Sequence, residues 1–245
     1  MRAGSHLRGA RVILASSILA SAIAFGGPPA RAAAPCLQEP VELRRFRHPE
    51  EPTRVSLTTC AGTPHGPALE ELSLLARDKR MPRPTPSELR DHRAAHPGSD
   101  EVAPGVLRLD PQLLIRLQAL ATHFPGHAII IVSGHRPRAR PTSRHRVGRA
   151  LDVAVEGSER HRVASFLRTL PATGVGYYPN STFTHVDVRP TRTYWVDHSG
   201  PGERPRYTRV EVDEAALEEP RRARAEAQPE ARRERARGAR TERRP

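Results

Sequence analysis

Apolar residues alternate strictly in "ALDVAV", where Leu151, Val153 and Val155 face one way and Ala150, Asp152 and Ala154 the other. The same period recurs in "FTHVDV", which sets Phe183, His185 and Asp187 on one face with Val186 and Val188 behind. "HAIIIVSGHR" predicts a buried strand ending at Ser133 and Gly134, while "GVGYYP" and "TYWV" predict two more. "VELRRFRHPEEPTRVSLTT" predicts two short strands about a proline-containing turn. Helical spacing replaces alternation in "PALEELSLLARD" and, more strongly, in "LDPQLLIRLQALATHF". There Leu113, Leu114, Leu117, Leu120 and Phe124 form one face, with Asp110 as cap and Pro111 in the first turn. A further helix is predicted from Ser158 as cap to Leu170, its inner face being Val163, Phe166, Leu167 and Leu170. Residues 81–105, rich in proline, histidine and charge, read as a long loop or linker. Elements of this order and length predict an α+β domain with a mainly antiparallel sheet flanked by helices.

The polar interruptions of these strands are where chemistry could reside. A carboxylate between two alanines, on a strand whose other face is apolar, leaves room for something to approach Asp152. Gly148 provides the backbone freedom for a tight turn that folds His145 back beside it. If "FTHVDV" pairs with "ALDVAV", His185 joins them, and two imidazoles with one carboxylate form a three-ligand set suited to Zn²⁺. The fourth position would stay open, as metal-assisted hydrolysis requires. The same residues also fit an ordinary turn followed by a surface His-x-Asp hydrogen bond, and spacing alone does not choose between the two. Tyr177 and Tyr178 divide between core and cleft in an order that the pattern leaves open.

The ends of the chain and its charge narrow the context. Arg2, Arg8 and Arg11 precede the short apolar run "VILASSILASAIAFGG" and the small-residue stretch "PPARAAAP". That is the layout of a secretory signal peptide over residues 1–32, too diluted by Ala, Ser and Gly for a transmembrane helix. Export in turn predicts a disulfide between Cys36 and Cys60, the only cysteines. The formal charge of +13 comes almost wholly from arginine, Lys79 being the sole lysine. Such charge suits nucleic acid, an acidic surface or an anionic polymer alike, and export argues against nucleic acid. Residues 214–245 are arginine-rich with almost nothing apolar, which predicts a disordered tail, either simply solvated or tethered to an anionic envelope polymer.

Taken together, Ser143, His145, Gly148, Ala150 and Asp152 read S-x-H-x-x-G-x-A-x-D, which resembles the signature of the zinc D-Ala-D-Ala peptidases. "SGHR" at 133–136 is similar to that family's S-G-Y-R, and "GVGYYPNSTFTHVDVRPTRTYW" resembles the segment carrying its third ligand. The family comprises the LAS metallopeptidases, whose fold is shared with the hedgehog signalling domain. The likeness is nearest to an exported murein endopeptidase branch in which G-V-G-Y-Y-P and H-V-D recur. It spans roughly residues 40–196 and is densest from 129 to 195.

The resemblance implies a hedgehog-like fold with the zinc site on the sheet, and His145, Asp152 and His185 as its zinc ligands. It assigns Arg136 to the substrate carbonyl or carboxylate and the developing oxyanion, a role suited to the planar guanidinium. Several relatives place a glutamate shortly before the last histidine, whereas this chain has Asn180, Ser181, Thr182 and Phe183 there. Asp187 is then either the general base or an orienting partner of a ligand. The implied layout is a signal peptide (1–32), a stapled amino-terminal segment (33–80), a linker (81–105), a peptidase core (106–213) and the tail (214–245). The implied activity is hydrolysis of peptide stems or cross-links of peptidoglycan outside the cytoplasm. The rival expectation is a zinc-containing cell-wall binding module of the same fold that does not hydrolyse.

Overall fold

The computed structural model describes residues 34–210, so the expected signal peptide, the tail and the last residues of the expected core lie outside the described residues. The described chain contains ten strands and four helices. Strands β1 (Val41–Arg45), β2 (His48–Val55), β5 (Ile129–Ser133), β6 (Ala150–Val155), β7 (Thr173–Tyr177), β8 (Thr184–Val188), β9 (Thr193–Asp197) and β10 (Tyr207–Val210) form one sheet. Its order is β10-β9-β7-β8-β6-β5-β1-β2. The sheet is mixed, because β1 pairs with β5 and β7 with β9 in parallel while its other neighbours are antiparallel. The β1-to-β5 crossover carries the helices α1 (Gly66–Leu75), α2 (Pro86–Ala95) and α3 (Gln112–His123), consistent with the long connection that parallel strands require.

The apolar faces read from the sequence meet in one core. Leu113, Leu114, Leu117 and Leu120 of α3 are fully buried against Ile129, Ile131, Leu151, Val153 and Val186. Each such leucine contributes about 1.5–3 kcal/mol relative to an exposed one. The Asp110 carboxylate accepts the Gln112 N–H at 2.9 Å, the capping role expected of it. Helix α4 is shorter than the pattern predicts, running Arg160–Leu167 from an N-cap at Glu159. Ser158 instead closes the turn after β6, its N–H donating to the Val155 carbonyl, and residues 169 and 170 end the helix with tight i→i−3 bonds.

Three further differences have local causes. The first hairpin turns at Phe46 and Arg47, leaving Pro49 and Pro52 inside β2, where an edge strand tolerates a missing N–H. The segment 81–105 is not a plain loop. It holds α2, started by a Thr85–Glu88 capping box, and then β3 (Glu101–Ala103), which pairs with β4 (Val106–Leu107) in a small second sheet. Helix α2 buries no residue fully, so its hydrophobic signal is weak and its hydrogen-bonded cap sets its start. Finally, β10 extends the sheet past the last strand that the pattern predicts. Cys36 and Cys60 form the expected disulfide, which closes its loop with a stabilisation of about 3 kcal/mol by chain-entropy reasoning. Among the described residues no helix is long and apolar enough to cross a membrane.

Candidate metal centre

Direct pairing of β6 with β8 sets Asp152 opposite His185, and Ala150 opposite Asp187, on the face away from the core. His145 reaches the same point from a 3₁₀ turn at Arg144–Val147, which ends at Gly148 in the left-handed conformation (φ 68°). A side chain there would be strained and would crowd Leu107 and the Arg108 carbonyl. His145, Asp152 and His185 are thereby brought together, all buried.

Their ligand atoms converge. His145 Nε2 lies 3.0 Å from His185 Nδ1 and 3.3 Å from Asp152 Oδ1, and His185 Nδ1 lies 3.0 Å from that same oxygen. Zn–N and Zn–O bonds of about 2.0–2.1 Å give a tetrahedral edge of about 3.3 Å, so the triangle fits a zinc ion with little adjustment. The outer atoms of both rings fix which nitrogen carries the proton. His145 Nδ1 donates to the Gly134 carbonyl at 2.7 Å, and His185 Nε2 donates to Asp187 Oδ2 at 3.1 Å. Each ring therefore points a lone pair at the other and at a carboxylate oxygen. Three acceptors facing one another in a buried place require a cation, or a proton in its stead.

The electrostatics agree. When a proton takes the cation's place, burial still disfavours the charge on Asp152, yet hydrogen bonding and charge from the His145 and His185 imidazoles outweigh it and hold the carboxyl far below its ordinary range. Burial likewise opposes a charged His185, but Asp152 and Asp187 prevail and raise its pKa. For Asp187 burial is again overcome, by hydrogen bonds from His185 and Arg189, which bring it to about 2.

Asp187 is held from several sides. Arg189 Nε donates to Oδ1 at 2.6 Å and its Nη2 to Oδ2, while Arg144 Nε stands 3.7 Å from Oδ1. Both oxygens are thus engaged. The neighbouring strand makes space for this network, because β7 presents Gly174 opposite Asp187 and Gly176 opposite His185. A Cβ on Gly174 would strike Arg189 and come within 2.5 Å of Asp187 Oδ1, and one on Gly176 would come within 2.7 Å of the Trp195 ring. Trp195 packs beside the His185 ring, with centroids 5.2 Å apart, and carries the Arg189 guanidinium 5.3 Å from its own centroid.

The cluster opens into a cleft of about 710 Å³. Arg136 lines it, half exposed, with Nη2 3.3 Å from Asp152 Oδ2 and its backbone N–H donating to the His145 carbonyl. Ser143 precedes the 3₁₀ turn without a side-chain cap, and its carbonyl accepts the Arg146 N–H. Tyr177 packs on the core and Tyr178 lines the cleft. Burial, and then the charge of Asp152, push the Tyr178 phenol above its ordinary pKa, so it stays neutral. Among the described residues lining the cleft, Asp152 and Asp187 are the only carboxylates. Arg189, Trp195, Gly174 and Gly176 were not singled out from the sequence. The Trp195 signal was the alternation of "TYWV", which only strand order could turn toward His185.

Residues 85–187 match the family described as Peptidase M15. The peptidoglycan L,D-endopeptidase MepK of Escherichia coli (strain K12) is 36% identical over 103 residues, which cover 36% of this chain and 54% of that protein. The probable peptidoglycan L,D-endopeptidase MepK of Haemophilus influenzae is 30% identical over 103 residues, covering 36% and 55%. The chain spans about half the length of the curated relatives it matches. The stretch 85–187 contains Arg136, His145, Asp152, His185 and Asp187, and over it this chain is similar to the Peptidase M15 family.

Proposed function

We propose that this chain is an exported, zinc-dependent peptidase that hydrolyses peptide stems or cross-links of peptidoglycan. The observation that carries the reading is the convergence of His145 Nε2, His185 Nδ1 and Asp152 Oδ1, each with its lone pair directed inward. We infer that these three atoms hold Zn²⁺ on the sheet of a hedgehog/D-Ala-D-Ala peptidase-like fold. When bound, the ion supplies a Lewis acid that polarises a carbonyl and acidifies a water molecule. Export is supported by the amino-terminal pattern and agrees with the disulfide.

The remaining steps fall to side chains. Arg136, half exposed and anchored through its backbone to His145, swings from Asp152 Oδ2 to the substrate oxygen, where its fixed charge stabilises the developing oxyanion. Gly134 and Asp187 hold the two imidazoles in the ligating tautomers. Of the two roles open to Asp187, orientation of His185 is favoured, because Arg189 and His185 already occupy both of its oxygens. Tyr178 and Phe183, with ring centroids 5.1 Å apart, form an apolar wall beside the reacting centre.

Digestion of purified cross-linked peptidoglycan by the mature chain, with chelator and zinc add-back, tests this reading. Loss of muropeptide dimers that stops with chelator and returns with zinc is expected. Shortened stems with intact dimers would make the enzyme a carboxypeptidase. The engagement of Asp187 favours one rival, a zinc-containing binding module without hydrolysis. Wall binding without any product, from a chain shown to contain zinc, would replace the peptidase with that module.

A further inference from the structure

We propose that Arg45, Arg47 and Lys79 form an anion subsite beside the metal centre, which takes a carboxylate of the peptide substrate. The inference rests on the peptidase reading and extends it to substrate selection. A second cavity of about 320 Å³ shares Arg136, Asp152 and Phe183 with the main cleft, so the two adjoin at the ligand Asp152. One wall is the β1–β2 turn, Arg45 to Arg47. Another is the segment that follows α1, Arg77 to Lys79. Arginine and lysine line this cavity at five positions, and carboxylates at two, of which Asp152 already belongs to the ligand set.

Arg45 is the strongest single sign of a missing anion. It is 5% exposed, and its Nη2 finds only backbone carbonyls, those of Asp78 at 3.0 Å and Arg77 at 3.4 Å. Its Nη1 is buried with no acceptor at all. A buried guanidinium is normally matched by a carboxylate or fully hydrogen-bonded, since an unmet donor is costly. The carboxylates whose charge acts on it are engaged elsewhere, Glu51 with Arg77 Nη2 at 3.5 Å and Asp78 Oδ1 with the Arg80 N–H at 2.9 Å. At the rim, Arg47 and Lys79 are exposed and make no side-chain hydrogen bond or ion pair with the described residues. Phe46, 47% exposed between the two arginines of the turn, adds an apolar surface for a neighbouring substrate side chain.

A peptide whose scissile amide sits at the His145–Asp152–His185 cluster has this cavity on the β5 side of Asp152. A carboxylate arriving there meets the two exposed cations, Arg47 and Lys79, with the buried Arg45 guanidinium behind them in the cavity wall. Charge-assisted bonds in so enclosed a place exceed those of an exposed pair, so the subsite should select for a free acid over an amide.

The test uses non-hydrolysable, acidic stem-type peptides, with each carboxylate free or amidated in turn. Binding to the zinc-loaded mature chain is measured by titration calorimetry, for the wild type and for the exposed-residue variants Arg47→Gln, Lys79→Gln and the double. Amidation at one position is expected to weaken wild-type binding about tenfold, and the double variant to lose that preference. With cleavable peptides the double variant should raise KM by the same factor and leave kcat near the wild-type value. Equal wild-type binding of acid and amide at every position, or a preference surviving in the double variant, overturns the subsite. Tight binding of inorganic phosphate with no preference among the peptides would overturn the carboxylate assignment. A chain that shows the preference but never hydrolyses removes the peptidase reading and keeps the subsite. Hydrolysis without the preference does the reverse.

Discussion

Two places among the described residues bring histidine and carboxylate ligand atoms close together, and they differ in how those atoms are held. His48, Glu50 and Glu51 cluster on the edge strand β2, half-buried to exposed, as do His145, Asp152 and His185 at the centre of the sheet, where all three are buried. On the edge, His48 Nδ1 faces Glu50 Oε1 at 3.1 Å, and Glu51 is turned toward Arg77. These contacts already meet the needs of the charged groups, and a nearby guanidinium repels a cation. In the sheet centre both imidazoles are held from behind by a second partner, and the inward atoms are left facing one another. Proximity of donor atoms is common, whereas orientation by outer hydrogen bonds in a buried place is what prepares a metal site.

The comparison is most sharply tested by removing a ligand from each cluster. Asp152→Asn or His185→Ala should abolish stoichiometric zinc by elemental analysis and lower peptidoglycan hydrolysis by about 10³-fold or more. His48→Ala or Glu50→Gln should leave both unchanged. Zinc retained by Asp152→Asn but lost on Glu50→Gln would reverse the assignment of the two clusters.

The next effect concerns the orienting carboxylate. Asp187→Asn should weaken zinc affinity about 10- to 100-fold in competition with a chelator, and activity should recover at high zinc. Unchanged affinity with a lost acid limb in the kcat profile would instead make Asp187 the general base. One step further out, Gly174→Ala should displace Arg189 and loosen Asp187. We expect a fall in zinc affinity of about tenfold or less, with stability lowered by about 1–3 kcal/mol. A wild-type affinity in that variant would show that Arg189 does not act through Asp187.

The smallest effect belongs to an exposed carboxylate with a purely local task. Glu88 accepts the Thr85 N–H at 2.7 Å, which lowers its pKa from the ordinary value of 4.5. A depressed pKa means that the contribution is complete above the ordinary value and is lost as pH falls through the depressed one. Amide exchange in the first turn of α2 should therefore speed up as pH is lowered below the ordinary value of 4.5, after correction for intrinsic rates, and Glu88→Gln should abolish that dependence. Unaltered protection across that range would sink the cap assignment, while the metal centre should not respond to the variant at all.

What the amino-acid order determined by itself is the set of local periods. Alternation in 150–155 and 183–188 separated Leu151, Val153 and Val186 from Asp152, His185 and Asp187, since successive residues of a strand point to opposite faces whatever the partner strand is. The face of α3 and the disulfide were legible for similarly local reasons of spacing and number. Helix α2 was not legible, because its cap and charged surface carry no hydrophobic period, and β10 lay beyond the last clear alternation. Only the tertiary structure decided that β8 lies beside β6 in the register that opposes Asp152 to His185, with β7 and β9 following. Strand order arises from long-range packing and is not encoded in any short window. The same order decided that glycines of β7 leave room for Arg189 and Trp195, that Asp187 turns both oxygens to partners, and that the β1–β2 turn closes a cationic cavity beside Asp152. Each of these depends on residues far apart in the chain meeting at one face, where distance and burial set the chemistry.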